Sequence, residues 1–140
     1  MIKNQNSNQG KRNENVLDVD KKNFYWIKVD GEEKLATENL VIGNQVYKEK
    51  LVKKKDIEYR LWDPFRSKLA ASIMNGLEIF PITDKSNILY LGVSTGTTIS
   101  HISDIVGPRG IIFGVEHSSR VARDFLDRVA SHRPNIVPII

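Results

Sequence analysis

Between Asn87 and Glu116 the chain runs from a short apolar stretch, Ile88-Leu89-Tyr90-Leu91, through Gly92-Val93-Ser94-Thr95-Gly96-Thr97-Thr98 into a helical pattern. A second apolar stretch, Gly110 to Val115, then ends on Glu116. Strand, glycine-bearing turn, helix and strand in that order predict a βαβ unit with its ligand edge at the carboxyl ends of the strands. Gly92 and Gly96 take dihedrals closed to residues with a Cβ and let backbone come close to a bound molecule. Thr97 and Thr98 supply hydroxyls, and Thr97 is placed to cap the helix, whose free N–H groups favour a carboxylate or phosphate. Glu116, ending the next strand, falls beside the turn, where it can accept hydrogen bonds from the two hydroxyls of a ribose.

The glycine spacing narrows the ligand. G-x-x-x-G differs from the G-x-G-x-x-G that cradles a pyrophosphate, so a nicotinamide cofactor and dehydrogenase chemistry are disfavoured. An adenosine cofactor with an amino-acid tail fits better: S-adenosylmethionine has a ribose for Glu116 and a carboxylate for the helix start. The competing reading is that two glycines and a glutamate only punctuate an ordinary α/β unit, and spacing by itself leaves that open.

Downstream the alternation continues. The helix after Gly96 carries Ile99, Ile102, Ile105 and Val106 on one face and should stop at Gly107-Pro108. Ile111 to Val115 reads as a strand, Val121, Phe125 and Val129 as the stripe of a further helix, and Ile136 to Ile140 as a third strand. Such alternation implies a parallel sheet. Upstream, Asp63-Pro64 predicts a helix start with Asp63 as N-cap and Phe65, Leu69, Ile73 and Leu77 along its buried stripe. Lys68 and Ser72 share one margin of that stripe, where a lysine ordinarily just extends its ammonium into solvent.

Residues 24 to 57 have a different texture. Phe24 to Val29 is aromatic and β-branched, Asp30-Gly31 is a turn signal, Lys34 to Thr37 can return as a second strand, and Leu40 to Ile42 and Gln45 to Tyr47 could add short strands. The prediction is a small β-rich module over 23–57 ahead of an α/β domain over 58–140. Lys48, Lys50, Lys53, Lys54 and Lys55 read first as a solvated edge, and as a phosphate-binding patch only if the fold sets them beside a substrate groove. Residues 1–22, rich in Asn, Lys and Gln and nearly free of large apolar side chains, predict a flexible, solvated arm.

Composition excludes several classes. The 140 residues include no cysteine, which removes disulfides, thiol catalysis and cysteine metal ligands. His101, His117 and His132 are too scattered for a metal centre, so no metal is expected. No apolar run approaches the length needed to span a bilayer, and the N-terminus lacks the apolar core of a secretory signal. A net charge of +4 suits an anionic partner without demanding one.

From Trp26 to Ile140 the sequence resembles the fibrillarin family of guide-RNA-directed ribose methyltransferases in its shorter, archaeal-type form. The resemblance is carried by Tyr59-Arg60-Leu61-Trp62-Asp63-Pro64-Phe65-Arg66-Ser67-Lys68-Leu69-Ala70-Ala71, by Leu89-Tyr90-Leu91-Gly92 with Gly96-Thr97-Thr98, by Ser100 to Gly107, and by Asn135-Ile136-Val137-Pro138. It implies an S-adenosylmethionine-dependent methyltransferase (Rossmann-like) α/β fold, incomplete at the C-terminus. It also implies that Gly92, Gly96, Thr97 and Thr98 hold S-adenosylmethionine, with Glu116 and His117 lining its ribose and adenine. By the same resemblance Lys68 is the first member of a Lys-Asp-Lys-His catalytic set, easing loss of a ribose 2′-hydroxyl proton and stabilising the developing charge. The implied partners are a box C/D guide RNA with target rRNA or tRNA, a Nop-domain scaffold protein and a kink-turn-binding protein, with no membrane.

Three departures accompany the resemblance. The family usually has Phe where His117 stands, so adenine would stack on an imidazole. The glycine- and arginine-rich arm of the nucleolar form is replaced by the Asn/Lys-rich arm, favouring a cytoplasmic, archaeal-type setting over the nucleolus. The acidic segment and the strands bearing the remaining catalytic Asp, Lys and His follow Asn-Ile-Val-Pro in the family and are not in these 140 residues. The expectation is therefore the N-terminal portion of a methyltransferase, inactive by itself, with a non-catalytic or split binding module as the alternative.

Overall fold

Asp30 and Gly31 close the first hairpin with φ of 51° and 82°, the left-handed pair that Asp-Gly adopts at low cost in a two-residue turn. The hairpin joins β2 (Phe24–Val29) to β3 (Glu32–Glu38), antiparallel, with Val29 opposite Glu32. A computed structural model of the chain describes residues 16–18 and 23–140. With β1 (Val16–Asp18), β4 (Leu51–Lys54) and β5 (Ile57–Leu61), these strands form one sheet in the order β1-β2-β3-β5-β4.

Two expectations change here. Val16–Asp18, inside the region read as a flexible arm, pairs with β2 with Val16 opposite Ile27; the rest of 1–22 lies outside the described residues. The short strands expected at 40–42 and 45–47 are loop, and the module runs on to Leu61 rather than ending at 57. Polar side chains there take the backbone donors a strand partner would have used. Asn39 Oδ1 accepts from the Val41 N–H, Glu58 Oε1 from the Gly43 N–H at 2.8 Å, and the Glu49 carboxylate from the N–H groups of Val46 and Tyr47.

The second half is an α/β unit: α1 (Lys68–Met74), β6 (Asn87–Leu91), α2 (Thr97–Val106), β7 (Ile111–Val115), α3 (Ser119–Arg128) and β8 (Ile136–Ile139). Its three strands are parallel in the order β6-β7-β8. Because side chains alternate across a strand, Ile88, Tyr90, Ile112 and Ile136 face a core built with Ile99, Ile102 and Val106 of α2 and with Phe125 and Val129. Leu89, Leu91, Phe113 and Ile139 occupy the opposite face, exposed. Gly107 stops α2 at a φ of 66°, as its place before Pro108 predicts.

α1 starts later than the Asp63-Pro64 signal suggests. Its N-cap is Ser67, whose hydroxyl accepts from the Ala70 N–H. Asp63 instead accepts from the Phe65 N–H at 2.8 Å, folding 63–66 into a turn. Phe65 is consequently 95% exposed and Leu77 lies past the helix end, while Ala70 and Ile73 supply the buried side.

Module and α/β unit meet through an apolar cluster of Phe24, Leu35, Trp62, Ala70, Ile73, Phe80 and Ile105 and through a buried charged centre. Arg60 reaches Glu49 at 2.7 Å and Asp104 at 2.9 Å, and Arg133 reaches Asp104 at 2.6 Å, every one of these side chains at most 1% exposed. Thr37 and the Leu40 N–H also donate to Asp104. His101 lies in the same centre, stacked on Trp62 at 4.8 Å, with Thr37 Oγ1 and the Tyr47 phenol each 2.7 Å from its ring nitrogens. Burial, with Arg60 and Arg133 beside it, holds this imidazole neutral, well below its ordinary value. Burial likewise pushes the Tyr47 phenol up to about 12, so it remains a hydroxyl. Among the described residues, no helix is long and apolar enough to cross a membrane.

Candidate functional site

At the carboxyl end of β6 the chain continues its pairing for two more N–H groups, Gly92 and Val93 both donating to the Val115 carbonyl. It then turns through three left-handed residues, Gly92 (φ 79°), Ser94 (φ 54°) and Gly96 (φ 98°). The two glycines do different work. A Cβ at Gly92 would meet nothing within 4 Å, so that side of the turn is open for a ligand. A Cβ at Gly96 would stand 2.5 Å from Val129 Cγ2 and 3.1 Å from Phe125 Cδ2. Gly96 therefore serves close helix packing on that side, and its N–H is engaged with the Val93 carbonyl.

Strain and clash add at this position. Gly96→Ala should cost about 2–5 kcal/mol, and Gly92→Ala about 1–2 kcal/mol for the backbone alone. Equilibrium urea unfolding of the two variants checks the order, and equal losses would contradict the packing role.

Glu116 is where the sequence placed it. Its N–H donates to the Ile139 carbonyl at 2.9 Å, and its carboxylate bridges the ends of β6 and β7. The Ser94 N–H donates to Oε2 at 2.9 Å and the Ser118 N–H to Oε1 at 3.0 Å. These bonds, that from Ser118 first, hold the carboxyl below its ordinary value and hence ionised. Each oxygen keeps acceptor capacity beyond its backbone donor, enough for a pair of vicinal hydroxyls. His117 extends from this edge 98% exposed, its Nδ1 3.4 Å from Glu116 Oε1.

The threonines depart from expectation. Thr97 is the first helical residue and not the cap; Gly96 is the N-cap, with no side-chain hydrogen bond there. The chain enters α2 through a left-handed residue, and only glycine makes that entry cheap. Thr98 Oγ1 donates to Ser67 Oγ at 2.9 Å, so its hydroxyl ties the turn to the N-cap of α1. Lys68, exposed at the first position of α1, is thereby set next to that junction.

Ser94 and Ser118 contribute backbone only, and no sequence signal marks them. Ser67 carries an ordinary N-cap signal that Asp63 overshadowed. Among the described residues no group of three or more His, Asp or Glu is arranged to hold a metal ion.

Comparison with known proteins extends this picture. The fibrillarin family profile matches residues 17–140. A fibrillarin-like rRNA/tRNA 2′-O-methyltransferase of Pyrobaculum calidifontis is 54% identical over 112 residues, 79% of this chain and 48% of that protein. Aeropyrum pernix fibrillarin, solved with natively bound S-adenosyl-L-methionine, superposes with a TM-score of 0.85 at 46% identity, covering 89% of this chain and 55% of that one. A fibrillarin in complex with Nop5p superposes with a TM-score of 0.70 at 36% identity, covering 84% of this chain and 50% of that one. The chain spans about half the length of the curated relatives it matches.

Fold and turn together define an α/β domain of the S-adenosylmethionine-dependent methyltransferase type, preceded by a small β-rich module. Within that class the chain belongs to the fibrillarin family.

Proposed function

We propose that this protein binds S-adenosylmethionine at the Gly92–Thr98 turn and serves transfer of its methyl group to ribose 2′-hydroxyls of rRNA or tRNA. The target would be chosen by pairing with a box C/D guide RNA, and the assembly would include a Nop-domain scaffold and a kink-turn-binding protein. The relatives named as rRNA/tRNA 2′-O-methyltransferases and the fibrillarin solved with Nop5p support this reading. The observation that carries it is the Glu116 carboxylate, held by the Ser94 and Ser118 N–H groups across the mouth of the open Gly92 turn. We further place the protein in the cytoplasm, from its likeness to archaeal-type forms.

Each residue has a physical task. The bound cofactor supplies an electrophilic sulfonium methyl group. Glu116 accepts the ribose hydroxyls, and its backbone clamps keep it from following the ligand in and out. The bare Gly92 side of the turn admits the ligand to backbone distance. His117 offers an exposed ring for the adenine. Lys68, a cation on a helix anchored to the turn through Ser67 and Thr98, stabilises negative charge developing on a 2′-oxygen and eases loss of its proton.

Calorimetric titration of the natural polypeptide with S-adenosylhomocysteine tests the site. Two hydrogen bonds to a charged acceptor are worth about 1.5–3 kcal/mol each, so Glu116→Ala should weaken binding by about a hundredfold or more. Unaltered affinity in that variant, or binding of NAD in place of S-adenosylhomocysteine, would reject the reading.

A further inference from the structure

On the far flank of the cofactor turn lies a second concavity, a groove of about 630 Å³. Its lining comes from separate parts of the fold: Lys48 from the loop after β3, Arg66 from the turn before α1, Arg128 from the end of α3, and Thr95 and Thr97 from the glycine turn and the start of α2. We propose that this groove binds the phosphate backbone of the RNA strand that carries the target ribose. The choice of RNA among polyanions rests on the methyltransferase reading above.

Charge is the first argument. Three cations face one carboxylate, Asp127, along the groove. Among the described residues none of Lys48, Arg66 and Arg128 forms an ion pair, whereas Arg60 and Arg133 in the interior are both paired. Cations left unpaired in a concave surface concentrate a field that an anionic polymer neutralises with release of its counterions.

Preorganisation is the second. Lys48 stands at a φ of 65°, a conformation a lysine adopts only when its surroundings impose it. They do: Glu49 accepts from the Val46 and Tyr47 N–H groups and pairs with buried Arg60, and Gln45 Nε2 donates to the Glu49 carbonyl at 2.7 Å. The loop is folded around a buried carboxylate so that Lys48 projects at a set place. Arg66 is positioned as well, its guanidinium 5.2 Å above the Tyr47 ring. Asn44 also lines the groove.

Continuity is the third. Arg66 and Thr97 are the chain neighbours of Ser67 and Thr98, whose hydrogen bond joins Lys68's helix to the turn. The groove thus begins one residue from the junction where a target ribose would react, and phosphates held there would feed that ribose toward Lys68. Recognition of backbone suits a system whose sequence information comes from base pairing.

Two charge-matched triple variants of the natural polypeptide test this. One is Lys48→Gln, Arg66→Gln, Arg128→Gln; the other is Lys53→Gln, Lys54→Gln, Lys55→Gln at the β4 edge. Fluorescence anisotropy with a labelled single-stranded oligoribonucleotide is followed from low to moderate salt, with S-adenosylhomocysteine binding measured on each sample. The groove variant should lose about tenfold or more at low salt, and the slope of log K against log salt should fall by about 2, three contacts at roughly 0.7 each. The β4 variant should stay within about twofold. Equal losses in both variants, an unchanged slope in the groove variant, or no RNA binding by the unaltered protein would each overturn the proposal. If the triple groove variant does not fold, Arg128→Gln, exposed on α3, should still lower the slope by about 0.7, and an unchanged slope overturns the groove. Failure of the unaltered protein to bind S-adenosylhomocysteine overturns the methyltransferase reading only; RNA loss confined to the groove variant would still support the groove.

Discussion

Asp104→Asn should lower the unfolding free energy by about 3–5 kcal/mol, the largest stability loss expected from any isosteric change in this chain. The carboxylate is fully buried and receives four donors: Arg60 at 2.9 Å, Arg133 at 2.6 Å, Thr37 Oγ1 at 2.7 Å and the Leu40 N–H at 3.0 Å. Replacing it by an amide leaves two guanidiniums with Glu49 as their only nearby counter-charge among the described residues. Arg133 is the more exposed to this loss. Burial pulls its guanidinium below the ordinary value, Asp104 opposes that pull, and Arg60 adds to it. Its Nε and Nη2 have no partner among the described residues. Adding Arg133→Met to Asp104→Asn should therefore recover part of the loss, because removing a stranded charge with its partner costs less than stranding it. Urea denaturation followed by circular dichroism measures both. A single-variant loss under about 1 kcal/mol would mean that water reaches the centre and screens it.

Lys68→Met should reduce the rate of the chemical step by about 10²–10⁴-fold, the range for removing one positioned proton-transfer or charge-stabilising group. Affinity for S-adenosylhomocysteine should remain within about twofold, since the turn and Glu116 carry that binding. Lys68 is exposed and its side chain has no hydrogen bond among the described residues, so stability should not move. Single-turnover methylation of a guide-paired target in the assembled particle, with labelled cofactor, gives the answer. A rate within threefold of the unaltered protein would return Lys68 to the ordinary role of a helix-surface lysine.

Much of the site was legible along the chain because it obeys local rules. The strand from Asn87 to Leu91, the apolar stripe Ile99, Ile102, Ile105 and Val106, and the stop at Gly107 follow from periodicity and from the conformations open to glycine. Glu116 was found from its position alone, because the end of a parallel strand beside a glycine turn can point to few places. Where two local signals competed, the nearer-sounding one lost: Asp63-Pro64 made a turn, and Ser67 three positions later capped α1.

The tertiary structure decided what depends on partners distant in sequence. The Thr98 hydroxyl, expected at the ligand, also donates to Ser67, thirty-one positions back, and ties the turn to the N-cap of α1. At Gly96 the space a Cβ would occupy is filled by Val129, thirty-three positions on. The strands expected at 40–42 and 45–47 gave way to loop because Glu49 and Glu58 satisfied their N–H groups. Arg60, Asp104 and Arg133 meet in one buried centre from positions that share no motif. By itself, then, the sequence determined the βαβ order, the glycine turn and the place of Glu116, since backbone conformation and side-chain periodicity are properties of neighbouring residues. Which hydroxyl ties the turn to a neighbouring helix, which glycine packs against another helix and which charges are buried together were decided only in three dimensions, because hydrogen bonds, steric contact and desolvation depend on distance in space.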